Sequence, residues 1–368
     1  MTTRRQDTGG GAKKTKAPAK APEPRKPLRP AGTGDTGAAK AAAPRTTAKA
    51  GAKAGAKAAT RRAGAAGQGA SGPAFPETDL AGTLRENEPL SRHTTYRIGG
   101  PARYHFTPAG PDEAVGAIAW ARANGIPWLV LGLGSNVLIR DGGFHGLVVK
   151  LGKGMDQLSH RAGIWKVGAG LPIPVLARKS AEEGFAGIHR LIGVPGTVGG
   201  GVYMNAGAHG NDFASVLVSA TVVESSGRTV ELPRAKIPYA YRQSGLGERV
   251  VLGCVLKLEK GDPNRLQTEM ADLLRRRRAG TPHDQACCGS VFRNPEENTA
   301  ARLIDRCGLK GRRVGGGEIS RVHANYIVNR GNASADDVLR LIDIARTAVF
   351  KDFGIELQLE VKVLGDAK

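Results

Sequence analysis

The sequence predicts an α+β chain built from several small lobes behind a basic N-terminal tail, and three observations carry that prediction. A helix followed by a strand reads clearly over residues 110–131. Short apolar runs separated by glycine-rich turns fill about 147–258, and two long helical stretches with a final alternating segment close the chain.

Residues 1–70 are dominated by Ala, Gly, Lys, Arg, Pro and Thr and hold almost no large apolar side chain beyond Met1 and Leu28. Such a segment buries too little surface to offset the entropy of ordering it, so residues 1–83 are expected to form a disordered tail. Sixteen Lys/Arg face three acidic residues in 1–70, which places +13 of the net +21 there and leaves +8 for the rest. The opening MTTRRQDTGG lacks the apolar core of a secretory signal, and no run of eighteen apolar residues follows. The expectation is a cytoplasmic protein without a membrane span. Cys254, Cys287, Cys288 and Cys307 show no metal-ligand spacing, so no metal is expected and the thiols are read as reduced.

The first lobe is taken as 84–150. Pro111 with Asp112 and Glu113 starts a helix, Ala114, Ile118 and Ala121 supply its apolar face, and Gly125 closes it. Trp128 to Leu131 is the following strand. The second lobe, 151–262, strings strands at Trp165–Val167, Val216–Val223 and Val250–Leu252 around a helix at Pro172–Glu183. The third lobe, 263–368, begins with a helix over Arg265–Arg278, continues with one over Ala335–Phe350 capped by Ser334, and ends in a strand over Ile355–Val363.

Two glycine loops stand out. Gly132, Gly134, Ser135 and Asn136 in Leu131–Ile139 let the backbone turn tightly so that N–H groups can converge on an anion. The third glycine of the dinucleotide fingerprint is missing and a strand follows rather than a helix, which argues against a Rossmann site. Taken alone, an ordinary glycine turn explains the segment equally well. The second loop, Ile192–Gly201, leads into Val202–Ala208 and contains Gly196, Thr197, Val198, Gly199, Asn205 and Gly207. Two such loops favour a large nucleotide cofactor.

These loops, with His93-Thr94-Thr95-Tyr96-Arg97-Ile98-Gly99-Gly100-Pro101, Tyr241-Arg242, Cys288-Gly289-Ser290-Val291-Phe292-Arg293-Asn294-Pro295 and Leu359-Glu360-Val361, together resemble the UDP-N-acetylenolpyruvoylglucosamine reductase (MurB) family over about 85–365. The resemblance implies an FAD-binding fold of the vanillyl-alcohol-oxidase (PCMH) type with a C-terminal α+β substrate-binding domain. It implies noncovalent FAD, NADPH as co-substrate and a UDP-sugar substrate whose enolpyruvyl group is reduced. The separation of 48 from Arg242 to Ser290 matches the shorter branch of the family, which lacks an inserted tyrosine loop, and Arg293 stands where the family often has Lys.

On the resemblance, Ser290 is the proton donor, Arg242 the catalytic arginine and Glu360 a participant in proton transfer. Tyr241, Asn294, Lys310 and His323 are its substrate-binding candidates. The residues alone say less. Ser290 reads as a turn residue, Arg242 as a solvated arginine, and Glu360 as one of the polar face of the last strand, paired with Lys. The run Arg275–Arg278 reads as a solvated helix face that steers an anionic substrate. Two alternatives remain open from sequence: another FAD-dependent sugar or alcohol oxidase of the same cofactor fold, and a protein contacting nucleic acid weakly and nonspecifically through the tail. The tail has no interleaved aromatics, so specific nucleic-acid recognition is not expected.

Overall fold

The computed structural model describes Phe75 and residues 80–367. The expected tail therefore lies largely outside the described residues. Phe75 falls within its expected span yet is buried, its ring packed against Phe106 and Trp120 at centroid distances of 5.1 and 4.7 Å.

The first lobe is a four-stranded sheet. β1 (Thr83–Pro89) pairs antiparallel with β2 (Pro101–Thr107), which runs parallel to β5 (Phe144–Lys150), which is parallel to β3 (Trp128–Leu131). Helix α1 (Pro111–Ala123) starts on Pro111, ends before Gly125 in the left-handed region, and buries Ala114, Ala117, Ile118 and Ala121. That is the apolar spacing expected of it.

β4 (Val137–Ile139) follows the first glycine loop and pairs parallel with Lys362–Leu364 near the end of the chain. The second sheet is antiparallel throughout, in the order Thr229–Pro233, Leu217–Val223, Val250–Lys257, β7 (Ile164–Gly168), β6 (Leu158–Arg161). Side chains from both sheets share one core, with Phe106, Leu147, Trp165 and Leu256 fully buried. α2 (Ile173–Glu182) adds Ile173 and Leu176 to the same core.

The second glycine loop differs from its expected form. Val198–Met204 is a helix, α3, despite glycines at 199, 200 and 201. Its N-cap is Thr197, whose Oγ1 accepts from the Gly200 N–H at 3.4 Å. The glycines carry a helical penalty of about 1 kcal/mol each, but contact explains two of them. A Cβ at Gly199 would lie 2.8 Å from the Ala169 Cβ, and one at Gly201 would lie 2.3 Å from the Phe213 ring of α4 (Phe213–Val216).

α5 (Pro263–Gly280), capped by Asp262, packs on α2 through Leu266, Met270 and Leu273 against Ala177 and Ala181. The packing therefore ties the first helix of the expected third lobe to the second. Beyond it, α6 (Ala300–Arg306), a small antiparallel sheet of Arg313–Val314, Gly317–Ile319 and Ile327–Asn329, and α7 (Ala335–Phe353) enclose a separate core. Ser334 and Asp337 form a reciprocal capping box at the start of α7. Val338, Leu341, Ile342 and Val349 are buried from its face, at about 1.5–3 kcal/mol per side chain.

The expected strand over Ile355–Val363 is shorter. Only Lys362–Leu364 forms a ladder, although Leu357 and Val361 keep the inward alternation. The reason is an irregular partner: the Arg293 N–H bonds the Gln358 carbonyl, while the N–H groups of both Glu360 and Val361 converge on the Val291 carbonyl.

Candidate active site

The two glycine loops meet. Gly132 lies so close to Thr197 that a Cβ there would stand 2.4 Å from the Thr197 Oγ1, and Ser135 Oγ donates to the Pro195 carbonyl at 3.1 Å. Gly134 has φ +63°, and a Cβ on it would sit 2.3 Å from the His93 carbonyl, so glycine is required twice over. The Lys150 ammonium donates to the Gly132 carbonyl, and burial pulls it down to about 8.

Between the loops runs a cleft of about 850 Å³, near the upper end of small-molecule sites. Gly132, Gly134, Ser135, Asn136, Gly196, Thr197, Gly199 and Gly207 line it, with Val250 and Val251 among its apolar walls. Val198 is fully buried outside it, and its N–H is committed to the Leu171 carbonyl, as that of Gly199 is to Ala169. Asn205 also lies outside. Its amide donates to Asp212 and to the Ala240 carbonyl and accepts from the Ala214 N–H, so it braces the end of α3. Among the cofactor candidates, these two occupy scaffold positions because their polar groups are already paired within the protein.

A dinucleotide such as FAD fits this cleft. Arg122 and Arg249 line it, and each keeps one buried guanidinium nitrogen, Nη2 and Nε respectively, without a hydrogen-bond partner among the described residues. Buried donors of that kind suit an anionic ligand. Neither arginine stood out in the sequence, where nothing distinguishes them from surface arginines.

Ser290, Arg242 and Glu360 line the same cleft. Glu360 reaches it because its segment is held on two sides. Its carbonyl accepts from Asn136 Nδ2 at 3.1 Å, and its N–H donates to the residue after Ser290 at 2.8 Å. Its carboxylate lies 3.3 Å from Arg242 Nε, not beside a lysine. Burial raises the Glu360 carboxyl above its ordinary value, and Arg242 and Arg293 offset part of that rise. Arg242 has φ +57°, donates from Nη2 to the Gly207 carbonyl at 2.7 Å, and lies over the ring of Tyr241 at 4.9 Å. Half of its fork is thus anchored to a cofactor loop.

Asn325 clamps the Ser290 turn. Its carbonyl accepts from Val291, its Oδ1 accepts from the Phe292 N–H at 2.9 Å, and its Nδ2 donates to the Phe292 carbonyl at 2.8 Å. Next to it Tyr326 lines the cleft. Arg277 also lines the cleft, so the Arg275–Arg278 run is not uniformly a solvated face. The signal was present: Leu266, Met270, Leu273 and Arg277 share one helical spacing.

The substrate candidates are less gathered. Tyr241 is exposed and borders a shallower cavity with Asp212 and Arg234. Asn294 is exposed and accepts from the Ala300 N–H at the start of α6. Lys310 pairs with Asp305 at 2.9 Å. His323 packs edge-on to Tyr326 at 4.8 Å; burial lowers its affinity for a proton, and Lys310 and Arg277 lower it further. Lys310 and Arg277 are thus the cations that act on a neutral His323, and Arg277 also acts on Tyr326. No cluster of metal-ligating side chains occurs among the described residues. Nor is any of their helices long and apolar enough to cross a membrane.

Comparison with known proteins agrees with this geometry. Residues 281–364 match the model of the UDP-N-acetylenolpyruvoylglucosamine reductase C-terminal domain, and 102–233 match that of an FAD binding domain. The reductase of Chloroflexus aggregans is 44% identical over 77% of this chain and 98% of its own, and that of Bacillus subtilis 39% over 77% and 95%. The crystal structure of the Thermus caldophilus reductase superposes with a TM-score of 0.66 at 34% identity, covering 77% of this chain and 99% of that one. The expected FAD fold of the vanillyl-alcohol-oxidase type, with a C-terminal α+β domain, is the fold observed. On these grounds the chain belongs to the UDP-N-acetylenolpyruvoylglucosamine reductase family.

Proposed function

We infer that this chain reduces the enolpyruvyl group of UDP-N-acetylenolpyruvoylglucosamine with NADPH, giving UDP-N-acetylmuramate for peptidoglycan synthesis, and that it does so in the cytoplasm. The observation that carries the reading is the meeting of Ser290, Arg242 and Glu360 at one glycine-lined cleft. FAD, when bound there, supplies the hydride relay from NADPH to substrate.

The protein's own task is to manage charge and a proton. An enol ether resists hydride attack, because negative charge builds on the carbon bearing the carboxylate. Arg242 is placed to meet that charge, since its guanidinium is fixed by Gly207 while keeping further donors. Ser290 supplies the proton to the same carbon from a turn that Asn325 immobilises. Glu360 holds Arg242 in place, and its raised proton affinity suits it to share in the transfer. Lys310, His323 and Arg277 are suited to the diphosphate of the UDP-sugar, with Asn294 and Tyr241 at the periphery.

The test is Ser290→Ala in the anaerobic half-reactions. Bleaching of the flavin by NADPH is expected at its normal rate, and reoxidation by the enolpyruvyl substrate is expected to slow by roughly 10²–10⁴-fold, the usual worth of positioned acid catalysis. Normal reoxidation would make Ser290 a turn residue and remove the assignment.

A further inference from the structure

We propose that Lys150 is a positioning residue of the cofactor site, its ammonium fixing the Gly132 carbonyl and setting a positive charge behind the first glycine loop to meet the diphosphate of FAD. The proposal rests on the FAD cleft alone and is independent of the roles given to Ser290, Arg242 and Glu360.

The two glycine loops are not equivalent toward an anion. In the second, the N–H groups of Val198, Gly199 and Gly201 donate to the carbonyls of Leu171, Ala169 and Thr197, and that of Gly200 donates to Thr197 Oγ1. In the first, no acceptor among the described residues takes the N–H of Leu133, Gly134 or Ser135, and all three residues line the cleft. Successive uncommitted amides at a turn make an anion cradle, so the first loop is where the charged centre of a dinucleotide belongs.

Strand register places Lys150 behind that loop. β5 runs parallel to β3 with Lys150 opposite Leu131, one residue before Gly132, and the side chain reaches the next carbonyl. Val148 on β5 lies opposite His105 of β2, so Lys150 and His105 share one face of the sheet. The groups on that side are neutral or already engaged. Burial chiefly, helped by His93 and Lys150, pulls His105 down to about 4, and its ring stacks on His93 at 4.0 Å. Glu88 is committed to His93 at 2.9 Å and to Arg85. Lys150 therefore has no carboxylate partner among the described residues, and burial alone pulls its ammonium down to about 8. An ammonium without a counter-ion behind a cofactor loop gains one when the anionic cofactor binds.

The diphosphate of FAD favours a charged Lys150, so binding raises the proton affinity of this ammonium above its value of about 8 in the free protein. Between the free and bound values, binding takes up a proton, and FAD affinity falls as pH rises through that range. Methionine keeps an unbranched side chain but offers neither donor nor charge. Arginine stays charged throughout the range.

The experiment is FAD binding to the full-length apoprotein, followed by flavin fluorescence and by calorimetry, in the parent, Lys150→Met and Lys150→Arg. The parent's dissociation constant should rise roughly fourfold to tenfold from about pH 8 to about pH 9.5. Calorimetry of the parent at about pH 8.5, in buffers of different ionisation enthalpy, should register uptake of roughly half a proton. Lys150→Met should bind FAD roughly tenfold to hundredfold more weakly at about pH 7, and Lys150→Arg within about fivefold of the parent. Neither variant should show the parent's slope above about pH 8. Absence of proton uptake by the parent, or a slope that survives in Lys150→Met, would overturn the proposal. So would parent-like FAD affinity in Lys150→Met. If Lys150→Met does not fold, the parent's proton uptake and the flat profile of Lys150→Arg still decide the matter. None of these readouts involves the enolpyruvyl substrate, so failure of the reductase reading leaves them unchanged.

Discussion

Asn325→Ala isolates the clamp on the catalytic turn. Asn325 is 3% exposed and Phe292 2%, so both groups of Phe292 that it satisfies are sheltered from water. Truncation leaves a buried N–H and a buried carbonyl without that partner, each costing about 1–3 kcal/mol, so the loss should be roughly 2–6 kcal/mol. For a domain of this size that corresponds to a fall of about 5–15 °C in Tm. Because Ser290 is two residues from Phe292, its hydroxyl should also lose its aim, at a cost of up to about 10²-fold in the substrate half-reaction. Far-ultraviolet circular dichroism through the melt and stopped-flow reoxidation read the two effects separately. A variant with Tm within about 2 °C of the parent and unchanged reoxidation would refute the claim that Asn325 holds the turn.

Two further predictions concern the charge pair and the cofactor loops. Glu360 has a proton affinity raised by burial, so its contribution to stability is present below the unfolded value and is lost as pH rises through the folded one. Arg242→Met removes an opposing charge and lifts that value further, so Tm should fall more steeply than in the parent as pH rises above the ordinary carboxylate range, and an unchanged slope would contradict the pairing. Gly132→Ala places a methyl 2.4 Å from the buried Thr197 Oγ1; an overpacking cost of about 1–3 kcal/mol should raise the FAD dissociation constant roughly 5–150-fold. Unchanged FAD affinity in fluorescence titration would show that the two loops do not need their present contact.

Much of the architecture was legible because it depends on local signals. Pro111, Gly125 and Ser334 mark helix ends by their own chemistry, and the buried faces of α1 and α7 follow from spacing. What was not legible depends on partners distant in sequence. Nothing local to Val198–Met204 announces a helix, because Ala169 and Phe213 are what make its glycines necessary. The strand at the chain's end shortens because Val291 offers a single carbonyl to two N–H groups. In the site, the two glycine loops read as favouring one large nucleotide cofactor, and they line one cleft, whereas Arg122 and Arg249 carry no pattern that separates them from solvated arginines. Arg277 was readable from its spacing and was hidden by the run of like charge around it. Asn325 owes its importance to bonds with Val291 and Phe292 that only the folded chain displays.

The central claim is that this chain passes reducing equivalents to an enolpyruvyl sugar and not to oxygen. Under anaerobic conditions, the purified protein reduced by one equivalent of NADPH should regain its full flavin absorbance on addition of UDP-N-acetylenolpyruvoylglucosamine. Mass spectrometry should then find one equivalent of a product two hydrogens heavier. A flavin that stays bleached with that substrate, and recovers only when air is admitted, would contradict the account and point to an oxidase.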